Sequence, residues 1–285
     1  MTNGINSETT RTYQSNSTPK KQEQSKDSSI ADTFSQMLNQ FRTLGVINIE
    51  GGDGNDTINA SGLQVNIKGG SGDDVINAVA DQANLYGNSG NDVLYGSGGQ
   101  VNLSGGSGND VLNGSGVQTN LYGGSGDDTL NADAGQANID GGTGNDVINA
   151  HANQANVQGG AGNDTINASG LQANVQGGAG NDKINASGLQ VNVQGGAGND
   201  EINASGMQVN IDGGQGDDVI IATALQANIY AGKGNDTLNL VSAQTANIKY
   251  LKGDGHDTIK GASQYSTVNI GPGLTFEQAT FSSKN

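Results

Sequence analysis

The chain has 285 residues, including 48 glycines and no cysteine, and it carries a formal net charge of −16. The absence of cysteine excludes disulfide and thiol chemistry, and the acidity disfavours nucleic acid and anionic membrane surfaces as partners. Only 32% of the residues are hydrophobic, which is poor for a globular core, and no apolar stretch is long enough to span a membrane.

Residues 1–28 are rich in Ser, Thr, Asn, Gln and Lys and contain almost nothing apolar. This composition predicts a disordered tail. The segment also lacks the apolar stretch of a secretory signal peptide.

Residues 29–45 have the pattern of an amphipathic helix that begins after Ser29 and ends at Gly45. Its apolar face comprises Ile30, Phe34, Met37, Leu38, Phe41 and Leu44. We expect this helix to cap the repeat array that follows, because the first turn of such an array needs a cover. Docking to a partner or a membrane is the alternative, but the face lacks the Lys and Arg clusters of a membrane helix.

A nonapeptide, Gly-Gly-Asp-Gly-Asn-Asp-Thr-Ile-Asn at 51–59, organises the rest of the chain because it recurs every eighteen residues. Residues 46–50 precede it as half a turn. A twelfth copy, at 253–259, arrives three residues late. The eleven loops in register begin at Gly51, Gly69, Gly87, Gly105, Gly123, Gly141, Gly159, Gly177, Gly195, Gly213 and Ala231.

Every loop carries aspartate at position six, counting from these starts. Glycine lets the backbone turn tightly and point its carbonyl groups inward, and the carboxylate adds charge. Calcium prefers six to eight such oxygen ligands. The candidate side-chain ligands are Asp56, Asp74, Asp92, Asp110, Asp128, Asp146, Asp164, Asp182, Asp200, Asp218, Asp236 and Asp257. Turn chemistry without a metal is the alternative.

Apart from Asn88 and Ala231, which replace glycine, the in-register copies fit the pattern G-G-x-G-x-D-x-U-x and resemble the calcium-binding repeat of the repeats-in-toxin (RTX) family. The resemblance covers roughly residues 51–260. It implies an all-β fold, a right-handed parallel β-roll or β-helix solenoid. The helix predicted at 29–45 would be the N-terminal cap of this solenoid. The resemblance also implies calcium as the cofactor, bound by the aspartates and by backbone carbonyls of the loops.

One loop supplies only part of a calcium coordination shell, so each ion needs two loops. Strands in a parallel stack lie about 4.8 Å apart, and eighteen residues suffice for two short strands and two turns. Eleven loops in register then predict ten sites, with an eleventh if Asp257 returns to line. Ten divalent ions would more than cancel the charge of −16.

The other half of each turn departs from the usual two-sided RTX pattern. Val65 stands nine residues after Asp56, and its equivalents are small and mostly apolar: Ala83, Val101, Thr119, Ala137, Ala155, Ala173, Val191, Val209 and Ala227. We therefore predict calcium along one edge only. Ile58, Ile67 and their equivalents should face inward and form a thin core.

Two polar columns should face outward. One is glutamine, at positions 64, 82, 100, 118, 136, 154, 172, 190, 208, 226 and 244, and the other is asparagine, from Asn66 to Asn228 in the same steps. Stacked amides can hydrogen-bond along the axis and hold the register. A ligand-binding face is the alternative.

The predicted solenoid covers residues 46–248, and residues 249–285 form the last repeat and a C-terminal cap. This last segment resembles the one that commonly follows RTX repeats.

Catalysis is not expected. His151 and His256 have no third residue in a non-repeating arrangement, and the pairs Asp73-Asp74, Asp127-Asp128 and Asp217-Asp218 fall at loop positions where metal ligation explains them.

The sequence favours a secreted, monomeric calcium-binding structural or interaction protein. Calcium is abundant outside cells, so leaderless export is expected, by a type I rather than a type III route. The alternatives are a carbohydrate-binding or adhesive module using the Gln and Asn columns, with an extracellular glycan or host surface as partner, and a harpin-like type III effector. An ice-binding face is a weaker alternative. The related calcium-dependent antifreeze solenoid repeats threonine at loop position three, whereas here only Thr143 does so.

Overall fold

The computed structural model describes residues 45–240 and 242–272. Every regular element in this part of the chain is a β-strand, which confirms the all-β prediction there. Except for Gly45, the predicted capping helix lies outside the described residues, as does the predicted disordered tail. The described residues divide between Thr143 and Gly144 into two compact units.

The first unit contains six parallel strands. Each residue pairs with the residue eighteen positions further on, as Ile58 does with Ile76. One repeat of the sequence therefore forms one turn of the structure. The strands are β1 Val46–Asp53, β2 Thr57–Ser71, β3 Val75–Ser89, β4 Val93–Ser107, β5 Val111–Ser125 and β6 Thr129–Thr143.

The second unit repeats this arrangement with the same offset through five long strands. These are β7 Val147–Ala161, β8 Thr165–Ala179, β9 Lys183–Ala197, β10 Glu201–Gln215 and β11 Val219–Lys233. Four short strands follow: β12 Thr237–Asn239, β13 Thr245–Tyr250, β14 Thr258–Lys260 and β15 Thr267–Ile270. Both units are therefore parallel β-solenoids.

The offset changes after β11. Gln226 pairs with Thr245 and Leu238 pairs with Ile259, so the turns become longer than eighteen residues. The prediction that Gln244 continues the glutamine column is wrong, because Thr245 takes that place. The extra residue is absorbed at the corner, where Ala243 N–H donates to the Leu240 carbonyl.

From β2 to β11 each turn is one strand of fifteen residues, not the two short strands that the sequence suggested, whereas the turns after β11 are built from short strands. In β2, Ile58 and Ala60 are buried, and then Val65, Ile67 and Gly69 are buried. The buried residues are even-numbered up to residue 60 and odd-numbered from residue 65. The alternation is therefore interrupted between these residues, and the chain bends there. The backbone still pairs with the next turn through this corner, because parallel pairing satisfies its amide groups without a separate loop.

The core is the narrow space between the two straight segments of each turn. Ile58 and Ile67 are buried, as predicted, and their equivalents in later turns are Ile, Leu or Val side chains that are also buried. Alternation along the strand places these side chains inward and their neighbours outward.

Candidate metal centre

The loops at one edge of each turn depend on glycine at positions two and four. In the first loop Gly52 and Gly54 have φ of 109° and 101°, a region that L side chains rarely adopt. Asn88 replaces glycine at position two and still has φ of 80°, which asparagine tolerates better than most residues. At the opposite corner of the complete turns, β2 to β11, Gly98 alone has positive φ, so this backbone conformation is a regular feature of one edge only.

The position-six aspartates form a buried column at the same edge. From Asp56 to Asp236 each is no more than 2% exposed. Within each unit, Oδ1 accepts a hydrogen bond from the backbone N–H of the aspartate one turn earlier, as Asp92 Oδ1 does from Asp74 at 2.8 Å. The backbone amides therefore fix the orientation of each carboxylate.

The second carboxylate oxygen points into the loop. Oδ2 is buried without a hydrogen-bond donor at Asp74, Asp92, Asp110, Asp164, Asp182, Asp200, Asp218 and Asp236. A Cβ added to Gly87 would collide with Asp92 Oδ2 and would lie 2.7 Å from the carbonyl oxygen of Gly105, one turn on. Glycine at position one thus leaves a cradle where a carboxylate oxygen and a carbonyl oxygen face the same space.

Burial raises the pKa of these carboxyl groups. It raises the pKa of Asp92, Asp164 and Asp218 to about 7, opposed by the backbone hydrogen bond and reinforced by repulsion from neighbouring aspartates. The pKa of Asp182 and Asp200 is raised to about 6 for the same main reason. Without a proton or a cation, the charged column is therefore unfavourable.

The donor set fits calcium. It consists of carboxylate and backbone carbonyl oxygens from successive loops, which are the ligands that calcium prefers. Within the described residues no three His, Cys, Asp or Glu side chains converge as a metal cluster. One carboxylate per loop explains this result, since the remaining ligands would be backbone carbonyls.

Asp257 returns to the column despite the longer turn. Its Oδ1 accepts from Asp236 N–H at 3.1 Å, and burial raises its pKa to about 7. The cradle differs there, because the exposed Lys252 stands at position one. Asp254, at position three, is buried and accepts hydrogen bonds from Leu251 N–H and the Tyr230 hydroxyl. This contact was not predicted from the sequence.

A second ladder at position five was also missed. Asp73 N–H donates to Asn55 Oδ1 at 2.9 Å, and Asn91 N–H donates to Asp73 Oδ1 at 2.7 Å. These side chains are exposed. In pairs such as Asp73-Asp74 the first carboxylate therefore accepts a hydrogen bond from the backbone of the next loop, whereas the sequence pattern predicted metal ligation for both. The sequence does contain a pattern that predicts this ladder, because position five is Asn or Asp in all eleven loops in register.

The opposite edge is closed by side chains, as predicted. Val65 and its equivalents in the described turns, through Ala227, are all fully buried. No carboxylate lies among them, so this edge offers no comparable oxygen cradle.

Comparison with known proteins agrees with this geometry. A family model described as RTX calcium-binding nonapeptide repeat (4 copies) matches residues 50–81, 86–116, 120–148, 135–153, 156–170, 174–188, 192–206 and 228–240, which together exceed half of the chain. The chain belongs to the RTX calcium-binding repeat family. RTX repeats bind calcium, and the aspartate column is consistent with that role. The searches of curated proteins and of solved structures returned no match.

The RTX turns in the described part of the chain include no helix long and apolar enough to cross a membrane.

Proposed function

We propose that this RTX protein is a secreted, non-catalytic solenoid that folds when about ten calcium ions bind along one edge. The ligands would be Oδ2 of the position-six aspartates and the backbone carbonyls of their loops. The folded solenoid would act as a structural or interaction protein outside the cell.

The observation that carries this proposal is the column of buried Oδ2 atoms that face carbonyl oxygens. Two acceptors that share a dry space repel each other unless a proton or a cation lies between them. A divalent cation satisfies both loops at once and also screens neighbouring aspartates.

Calcium binding should be coupled to folding. The core is only the narrow space between the two straight segments of each turn, so the chain buries little apolar area relative to its length. The cradle exists only when two turns are stacked, so ion binding and chain ordering are the same event. Ligand binding then supplies stability that the core does not.

Calcium concentration supports an extracellular location. Weak sites made largely of carbonyl oxygens fill only where calcium is abundant, as it is outside cells. RTX repeats are typical of proteins exported by type I systems, and this route is preferred here over a type III route. Neighbouring genes for one exporter or the other would distinguish them.

The absence of catalysis is part of the proposal. Successive turns present the same residue types in columns, whereas a catalytic site needs different groups converging on one place. The carbohydrate-binding alternative based on the asparagine column has less support, because those amides hydrogen-bond to one another, as Asn84 Nδ2 does to Asn66 Oδ1 at 2.7 Å.

Calcium titration of the chelated protein tests the proposal. Circular dichroism should change from a disordered to a β spectrum with a steep calcium dependence, and calorimetry should count about ten ions. A chelated protein at neutral pH and low ionic strength that is already folded would refute the coupling. A count near twice the expected number would refute the single edge.

A further inference from the structure

Two exposed tyrosines stand in one column of the first unit, on the outward face of the second straight segment. Tyr86 is 42% exposed and Tyr122 is 50% exposed. Ser104 lies between them, paired with Tyr86 on one side and with Tyr122 on the other. The calcium edge does not use this column, because its side chains point away from the core.

The spacing of the two rings is set by the solenoid. Paired parallel strands lie about 4.8 Å apart, so two strands separate the tyrosines by about 9.6 Å along the axis. This length is close to one disaccharide unit of an extended β-1,4-linked glycan. Serine between them is small enough to leave both ring faces accessible.

The tyrosine side chains have no competing contact within the described residues. Neither hydroxyl has a hydrogen-bond partner there, and the described cation–π contact involves Tyr230 instead. Lys68, the column member before Tyr86, is paired with Glu50 at 3.4 Å. The rings are therefore not already covered by a neighbouring cation.

Local charge selects the kind of glycan. The nearest charged column members are Lys68, which is already paired, and Asp140 beyond Tyr122. Because Lys68 is paired with Glu50, the Asp140 carboxylate is the remaining charge next to the tyrosines in this column. It would repel an acidic polysaccharide, whereas it would not repel a neutral one.

We propose that Tyr86, Ser104 and Tyr122 form a docking strip for a neutral, extended β-1,4-linked glycan. Alternate sugar rings stack on the two tyrosines through their apolar faces, and the Tyr and Ser hydroxyls contact sugar hydroxyls. Aromatic rings suit this role because they combine a large apolar face with a polar end.

The test uses the full chain in saturating calcium and calorimetric titration with cellohexaose, chitohexaose and the corresponding disaccharides. The hexasaccharides should bind more tightly than the disaccharides, which cannot reach both rings. Tyr86→Ala and Tyr122→Ala should each weaken hexasaccharide binding about tenfold, and the double variant should bind no better than a disaccharide.

Tyr95→Ala is the matched control, since Tyr95 lies in β4 on the other straight segment and is 47% exposed. It should bind like the wild type. Circular dichroism in calcium verifies that each variant is folded. Failure of both hexasaccharides to bind, equal loss with Tyr95→Ala, or equally tight binding of the acidic, β-1,4-linked oligomannuronate would overturn the proposal. None of these outcomes affects the calcium count, so they are distinct from a failure of the proposed calcium function.

Discussion

Thr119 differs chemically from the other side chains that close the metal-free edge. It is fully buried, and its Oγ1 has no hydrogen-bond partner among the described residues. The equivalent positions one turn before and after hold Val101 and Ala137. A buried hydroxyl without a partner loses its hydration and gains nothing in return.

Thr119→Val should stabilise the calcium-loaded protein by about 1–2 kcal/mol, because valine has nearly the same shape and no hydroxyl. The reverse change, Val101→Thr, should destabilise it by a similar amount. Denaturant unfolding in saturating calcium measures both. If Thr119→Val is neutral or destabilising, the hydroxyl must have a partner.

In the first ten in-register loops, glycine at position one leaves space for neighbouring oxygen atoms and does not serve a positive φ, whereas the eleventh loop has Ala231 there. A Cβ on Gly69 would collide with Asp74 Oδ2 and would lie 2.9 Å from the Gly87 carbonyl oxygen. On Gly62, in the same strand, a Cβ would meet only flexible side-chain atoms, the nearest at 3.2 Å on Ile47.

Gly69→Ala should therefore cost about 1–3 kcal/mol and reduce the number of bound calcium ions. Gly62→Ala should change stability by less than about 1 kcal/mol and leave the calcium count unchanged. Unfolding midpoints and calorimetric counts separate the two. Equal effects would mean that the cradle at position one is not where the ion binds.

At the scale of the strand, the two amide columns behave differently. Asn192 Nδ2 donates to Asn174 Oδ1 at 2.8 Å, and Asn210 Nδ2 donates to Asn192 Oδ1 at 2.7 Å. In the glutamine column of the described turns, only Gln190 and Gln208 lie within hydrogen-bond distance, at 3.4 Å. The shorter asparagine side chain holds its amide at the strand spacing, whereas glutamine has one more rotatable bond to immobilise.

Asn192→Ala should cost about 1–3 kcal/mol, because it removes two hydrogen bonds in a half-buried column. Gln190→Ala, in the same strand, should cost less than about 0.5 kcal/mol. Thermal unfolding of both variants in excess calcium is the measurement. A larger loss for Gln190→Ala would show that the glutamine column holds the register.

At the scale of the whole chain, the aspartates link stability to pH when calcium is removed. Burial raises the folded pKa values of six of them from the ordinary value of 3.8 to about 6 or 7, namely Asp92, Asp164, Asp182, Asp200, Asp218 and Asp257. A folded state with raised pKa values binds more protons than the unfolded chain between these limits. Its stability is therefore fully present below about pH 4 and is lost as the pH rises through about 7.

The chelated protein should consequently keep β structure in acid and lose it between about pH 4 and pH 7. Calcium should remove this loss, because the ion replaces the protons in the cradle. Circular dichroism across this range, with and without calcium, is the measurement. Greater stability of the chelated protein at pH 8 than at pH 4 would contradict the buried carboxylate column.

The repeat in the sequence determined much of this architecture by itself. A period of eighteen residues became the offset between paired strands, and the inward positions of Ile58, Ile67 and Val65 followed from alternation. The position-six column was predictable for the same reason, since residues at a fixed spacing occupy equivalent places in every turn. The spacing predicts which residues are equivalent because each turn contacts mainly the turns before and after it.

Only the tertiary structure decided how side chains divide their contacts within a column. Position-five and position-six carboxylates are adjacent in sequence, yet one is exposed and clamps a backbone amide, whereas the other is buried and faces the cradle. The register after β11 was decided there too, because a corner absorbs an extra residue at little cost and the sequence does not show which corner does so. The sequence spacing shows which residues occupy the same place in successive turns. Which backbone amide each side chain binds depends on how the turns pack.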